Sequence, residues 1–169
     1  MSTPPATPAP GMAGPALAEL VSRHVSIIVA SRDRALRPHL MRAVGCRLSP
    51  DRRRMTLLMP QDRSAELLAD LRDNGQVAVV LSEPSSNRSI QVKGHDASVA
   101  PCGPDDPALA EAYLQGIVEE LGQIGLTADV AHTILGHDAG LVAVHFGIAA
   151  AFDQTPGPAA GRALDATTG

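Results

Sequence analysis

Arg88-Ser89-Ile90-Gln91-Val92-Lys93-Gly94 alternates polar and apolar side chains with the period of two expected of a half-buried strand. Ile90 and Val92 fall on one face, and Ser89, Gln91 and Lys93 on the other. A rigid row of donors suits a small anionic or polar ligand, and it also suits a solvated outer face. Lys93 is the only lysine in the chain; every other basic residue is arginine.

Outward from this strand, the chain reads as a succession of short strands with few helices. Upstream, Gln76 to Leu81 is a strand, and Glu83 to Asn87 is a Pro/Ser/Asn loop. A helix opens at Asp62 or Arg63 and runs to about Arg72, with Leu67, Leu68 and Leu71 at helical spacing and Asn74-Gly75 as its stop. Before it lie a β-branched strand at His24 to Ala30, a long strand at Pro38 to Leu48 with Gly45 as a bulge, and a strand at Met55 to Met59. Pro15 to Val21 is a short helix. Downstream, the opening strand is expected to continue to Ala100. Asp105-Asp106-Pro107 starts a helix to about Leu121 with the stripe Leu109, Tyr113, Ile117 and Leu121. A second helix runs from Ala128 to Leu135, and a last strand from Leu141 to Phe152. Strands joined by short turns, with helices between and appended, predict a mainly β, six-stranded antiparallel barrel. There is no βαβ alternation, and Gly157-Pro158-Ala159-Ala160-Gly161 lacks dinucleotide-loop spacing.

Composition bounds the function. The chain has 169 residues, enough for one core, and 44% are apolar. Only 2% are aromatic, so the core is aliphatic and a flat ligand would be gripped without much stacking. The net charge of −4 argues against nucleic acid, and Arg52-Arg53-Arg54 follows the turn signal Ser49-Pro50-Asp51 as a solvated hairpin tip. No signal peptide or membrane-length apolar run is visible, so a cytoplasmic protein that does not engage a membrane is expected. Residues 1–14 read as a disordered tail, residues 15–154 as the barrel domain with appended helices, and residues 155–169 as a Pro/Gly/Ala-rich arm or tail.

Chemical motifs are sparse. Cys46 and Cys102 form no CxxC pair and read as free, inert thiols. His24, His39, His95, His132, His137 and His145 show no ligand spacing; His132 and His137 miss the i,i+4 register, and no metal site is expected. There is no GxSxG elbow, and no residue stands out as a catalytic acid, base or nucleophile.

The order of these features resembles the flavin-binding split-barrel superfamily related to pyridoxamine 5′-phosphate oxidase. It is carried by the strand Val25 to Ala30, the Pro38-initiated strand, Arg63-Ser64 before the helix that ends Asp70-Leu71-Arg72-Asp73-Asn74-Gly75, and Val77 to Leu81 leading into Ile90-Gln91-Val92-Lys93-Gly94-His95 and Ala97. The likeness spans roughly residues 20–152, and Phe152-Asp153-Gln154-Thr155-Pro156-Gly157-Pro158 is similar to the tail of a bacterial subgroup.

That resemblance implies a six-stranded split barrel that forms a homodimer with FMN at each subunit junction, and an oxidoreductase acting on a small molecule. Carried over by position, the cofactor contacts fall at Arg42, Ala43 and Val44, at Leu58, Met59 and Pro60, at Arg63 and Ser64 for the phosphate, and at Arg88, Ser89 and Gln91. Many members place a lysine after the serine; this chain has Ala65 followed by Glu66, which removes a cation and adds a like charge near the phosphate. Two further readings therefore accompany FMN. One is a haem-binding or haem-utilisation barrel with His24, His95 or His145 as axial ligand; the other is a cofactor-free dimeric binding or regulatory module. A deazaflavin in place of FMN is also compatible.

Overall fold

The structure, a computed structural model, describes residues 11–136 and 140–164. Residues 1–10, the end of the arm at 165–169, and His137 lie outside the described residues. Its elements are α1 (Pro15–Val21), β1 (Ser26–Arg32), β2 (Pro38–Arg42), β3 (Cys46–Leu48), β4 (Arg54–Pro60), α2 (Ala65–Asn74), β5 (Val77–Ser82), β6 (Ser89–Gly94), β7 (Ser98–Pro101), α3 (Asp106–Gln123), α4 (Ala128–Leu135), β8 (Leu141–Gly147) and β9 (Ala150–Asp153). The strands form two antiparallel sheets, β2-β1-β5-β6-β9 and β3-β4-β8-β7.

This corrects the expected strand count. Three long strands read from the sequence are each broken in two. The Pro38–Leu48 segment crosses between sheets at 43–45, the Ser89–Ala100 segment at 95–97, and the Leu141–Phe152 segment at 148–149. The result is two open sheets joined at corners, not one six-stranded closed ring. Strands that change sheets at bends are how orthogonally packed β layers are closed around a core. Glycine makes one such corner possible: a Cβ on Gly94 would lie 2.5 Å from Phe146 Cδ2 and 2.9 Å from the Gly147 carbonyl oxygen.

The core lies between the sheets and is aliphatic as composition requires. Ile27 and Val29 of β1, Val79 and Leu81 of β5, Met55, Leu57 and Met59 of β4, and Val144 and Phe146 of β8 are buried there. The alternation read for β6 holds from Ile90 on: Ile90 and Val92 are in the core, Gln91 is half-buried and Lys93 exposed, whereas Ser89, read with the outward row, is buried. Helix α2 packs on the core side of β1 and ends at Gly75, whose φ of 68° and hydrogen bond to the Leu71 carbonyl make the left-handed cap expected of Asn-Gly.

Both ends of the described chain are tied in. Residues 11–14, read as part of a disordered tail, are ordered instead: the Gly11 N–H donates to Ile148 and the Ala13 N–H to Arg52, and Ala13 is buried. The arm turns back along β9, where Asp153 bonds Arg162, Leu164 bonds Ala151, and Phe152 bridges Ala163. An ion-pair cluster fastens α1 to the loop before β6: Arg23 bonds Glu19 and Glu83, and Arg88 bonds Glu19. Among the described residues, no helix is long and apolar enough to cross a membrane.

Candidate functional site

The sequence-predicted positions separate into three environments. The first is the core. Ala43, Val44, Leu58, Met59 and Pro60 are buried, and their backbones are engaged: Ala43 N–H bonds Ile27, Val44 N–H bonds Leu58, Leu58 N–H bonds Gly45, and β4 pairs with β8 through Pro60. Their side chains build the scaffold.

The second is the outward face of the five-stranded sheet. Cross-strand register places Arg42, Ile28, Val80, Gln91 and Phe152 in one row, and Leu40, Ala30, Ala78, Lys93 and Ala150 in the next. All are half-buried or exposed, Leu40 at 60%. Lys93 Nζ sits 5.3 Å from the centre of the Phe152 ring, a cation–π contact. Ser89 and Arg88 border this face but are occupied. Ser89 Oγ donates to Ser82 Oγ at 2.8 Å, and Arg88 is held by Glu19 at 3.0 Å. Gln91 is the predicted residue whose polar head remains on the open face.

The third is the start of α2. Arg63 is exposed, while Ser64 is 1% exposed and its hydroxyl has no hydrogen-bond partner among the described residues. Ser64 occupies the N-cap position without capping, so its oxygen is held at a helix N-terminus and left unused. Burying a hydroxyl with no partner costs free energy, so such an atom marks a place where a partner belongs. Glu66 opposes an anion here, yet its Oε2 lies 3.8 Å from His39 Nε2.

Sequence reading missed the group behind Glu66. Asp70, buried on α2, accepts from Ser31 Oγ at 2.6 Å and pairs with His39 Nδ1 at 2.7 Å through the same oxygen. The Asp70 hydrogen bond raises the His39 pKa above 6.5 against the opposing effect of desolvation, and the charges of Asp70 and Glu66 add to the rise. Ser31 donates to the carboxylate rather than to the imidazole, so this is a brace between α2, β1 and β2 and not a nucleophile–base pair. A second brace was also missed. Arg47 bonds Asp106 at the start of α3, and the Gly103 N–H bonds the same carboxylate at 2.7 Å.

The histidines raised as axial ligands differ in what they touch. His145 Nδ1 bonds Thr56 Oγ1 at 2.9 Å, and burial, reinforced by the Arg47 charge, lowers its pKa. His24 packs against Gly116 of α3, where a Cβ would fall 1.9 Å from its Nδ1. His95 is exposed, bonds Gln76 through Nδ1, and lines a shallow groove of about 300 Å³ with Arg32 and Lys93. Burial pushes the Cys46 thiol up to about 12, which keeps it protonated and unreactive.

Arg42 faces a larger space. Its side chain enters a cavity of about 360 Å³ beneath α3 and α4, together with Ser26, Ser82 and Tyr113; Arg63 and Ser64 do not line it.

No family model matches the sequence, and no curated protein is similar to it at the sequence level. The folds of solved structures do match. The HupZ protein of Group A Streptococcus superposes with a TM-score of 0.54 at 15% identity, covering 89% of this chain and all of its own. A candidate pyridoxamine 5′-phosphate oxidase from Lactobacillus delbrueckii superposes with a TM-score of 0.52 at 14% identity, covering 83% of this chain and 93% of its own. The chain has the pyridoxamine 5′-phosphate oxidase-like fold. The split-barrel resemblance read from Arg63-Ser64, the α2 terminus and β6 is thereby supported at the level of architecture.

Proposed function

We propose that this split-barrel protein is a homodimer that binds FMN and performs redox chemistry on a small molecule. One observation carries the reading: the buried, unpartnered Ser64 hydroxyl beside exposed Arg63 at the N-terminus of α2. Backbone N–H groups at a helix start, a free hydroxyl and a guanidinium together suit a phosphate. His39 beside Glu66 moderates the like charge that Glu66 brings. Gln91, on the open row of the five-stranded sheet, is the side chain offered to the ring edge. FMN, when bound, supplies the electron or hydride transfer; the protein binds and orients it. The outward rows centred on Ile28, Val80 and Leu40 are the apolar surface that a second copy would cover, which fits a homodimer.

The test is absorbance of the purified protein, and of the apoprotein titrated with FMN, near roughly 450 nm. Flavin uptake is expected. Arg63→Ala should weaken it by about 1–3 kcal/mol and Ser64→Ala by about 1 kcal/mol. A colourless protein that takes up no FMN overturns the proposal in favour of the cofactor-free module.

A second reading, haem, is favoured by His95, whose groove also presents the cations Arg32 and Lys93. These could meet propionates. A Soret band on haem titration, lost in His95→Ala, would establish it over FMN.

A further inference from the structure

We infer that the cavity beneath α3 and α4 is a binding site for a small carboxylic acid with an apolar body. Its volume of about 360 Å³ lies at the lower end of small-molecule pockets. Its polar lining comprises Ser26, Arg42, Ser82, Asn87 and Tyr113, of which Arg42 carries the charge. Arg42 is half-buried, donates one N–H to Ser26 Oγ at 2.7 Å, and forms no ion pair among the described residues. Its remaining N–H groups have the fork geometry that recognises a carboxylate. Tyr113 also lines the cavity, is 9% exposed, and has its hydroxyl oxygen buried with no hydrogen-bond partner among the described residues. Burial raises its pKa, the neighbouring Cys46 adds to the rise, and Arg42 and the Ile27 backbone oppose it. Arg42 lies close enough to that hydroxyl to act on it electrostatically.

Aliphatic side chains make up most of the remaining lining. Ile117 closes the floor, while Ile124, Leu126 and Ile134 stand at the mouth with 49%, 40% and 43% of their surfaces exposed. Among the described residues, no Asp or Glu lines the cavity. A guanidinium with unused N–H groups in the wall of a mainly apolar pocket fits an anionic acceptor on a hydrophobic body, and it excludes an amine, whose charge would face Arg42. This inference needs neither Arg63 nor Ser64 and stands apart from the cofactor.

The experiment uses octanoate as probe on the full-length chain. Tyr113 is the only tyrosine and there is no tryptophan, so tyrosine emission reports on this cavity alone. Octanoate is expected to bind saturably at one site per chain by calorimetry and to alter Tyr113 emission. Octan-1-ol and octylammonium should bind about tenfold more weakly or less. Arg42→Gln should weaken octanoate about tenfold or more, by calorimetry, in a protein whose thermal melt matches wild type. Ile134→Glu, at an exposed position that tolerates a charge, should abolish binding. Absence of saturable octanoate binding overturns the inference. Equal binding of octan-1-ol, or octanoate binding unchanged in Ile134→Glu, overturns it as well. FMN uptake is read separately in the visible, so failure of either proposal leaves the other standing.

Discussion

At the scale of residues, the protein holds buried polar groups of opposite character. Some are fully used. Glu120 accepts from the Ser85 backbone N–H and from the Gln123 side chain, and Asp70 accepts from both Ser31 and His39. Ser64 and Tyr113 keep hydroxyls without hydrogen-bond partners among the described residues. For Tyr113 this makes a stability prediction. Removing an unsatisfied buried hydroxyl costs nothing, so Tyr113→Phe should leave the unfolding free energy unchanged or raise it by up to about 1 kcal/mol in denaturant melts. A clear destabilisation would show that the hydroxyl has a protein partner. His39 carries a pH prediction. Its folded-state pKa is raised by the Asp70 hydrogen bond, so the stabilisation it gives is fully present below its ordinary 6.5 and is lost as pH climbs through the raised folded value. The melting-temperature gap between wild type and His39→Gln should therefore be wide below the ordinary imidazole range and narrow as pH rises above it. A pH-independent gap would remove the imidazolium from the brace.

At the scale of elements, the corners and helix ends decide the architecture. Gly94 ends β6 where a Cβ would strike Phe146 and the Gly147 carbonyl. Gly94→Ala should destabilise by about 1–3 kcal/mol, since neither an aromatic in the core nor a backbone oxygen can yield cheaply. Thermal melts that match wild type would show the corner to be adaptable. The start of α3 depends on Asp106. Burial alone would raise its pKa, but Arg47 and the Gly103 N–H hold it below 3.8. Its stabilisation is therefore present above 3.8 and lost as pH falls through the lower folded value. Asp106→Asn should cost about 1.5–3 kcal/mol at neutral pH in denaturant melts, the range for hydrogen bonds to a charged group.

At the scale of the whole molecule, the outward face of the five-stranded sheet and the α2 terminus are separate on one protomer. Ser64 and Arg63 belong to a helix on the core side of β1, whereas Gln91 lies on the opposite face of the same sheet. A second copy against the rows of Ile28 and Val80 is the arrangement that would give the open face a partner. Wild type is expected to sediment as a dimer, and Val80→Asp, which sets a charge in the middle of that surface, as a monomer. A monomeric wild type would remove both the dimer and the shared cofactor seam.

What the sequence determined by itself was local. Period-two alternation placed Ile90 and Val92 inside and Gln91 and Lys93 outside, because pleating admits no other assignment once one face is buried. Asn74-Gly75 announced a left-handed helix stop, and α4 runs from Ala128 to Leu135 as read. Alternation cannot show where a strand leaves one sheet for the other. The side-chain period runs on through a bend, so three broken strands read as three continuous ones. Arg63 and Ser64 could be singled out by resemblance, but that Ser64 is buried without a partner is a property of its surroundings. The cavity was illegible for the same reason. Tyr113 read as one position of an apolar helix stripe and Arg42 as a cofactor contact implied by resemblance, and only packing of α3 and α4 against the sheet rim makes them neighbours. Local pattern fixes which way a side chain points; only the closed tertiary structure decides what stands opposite it.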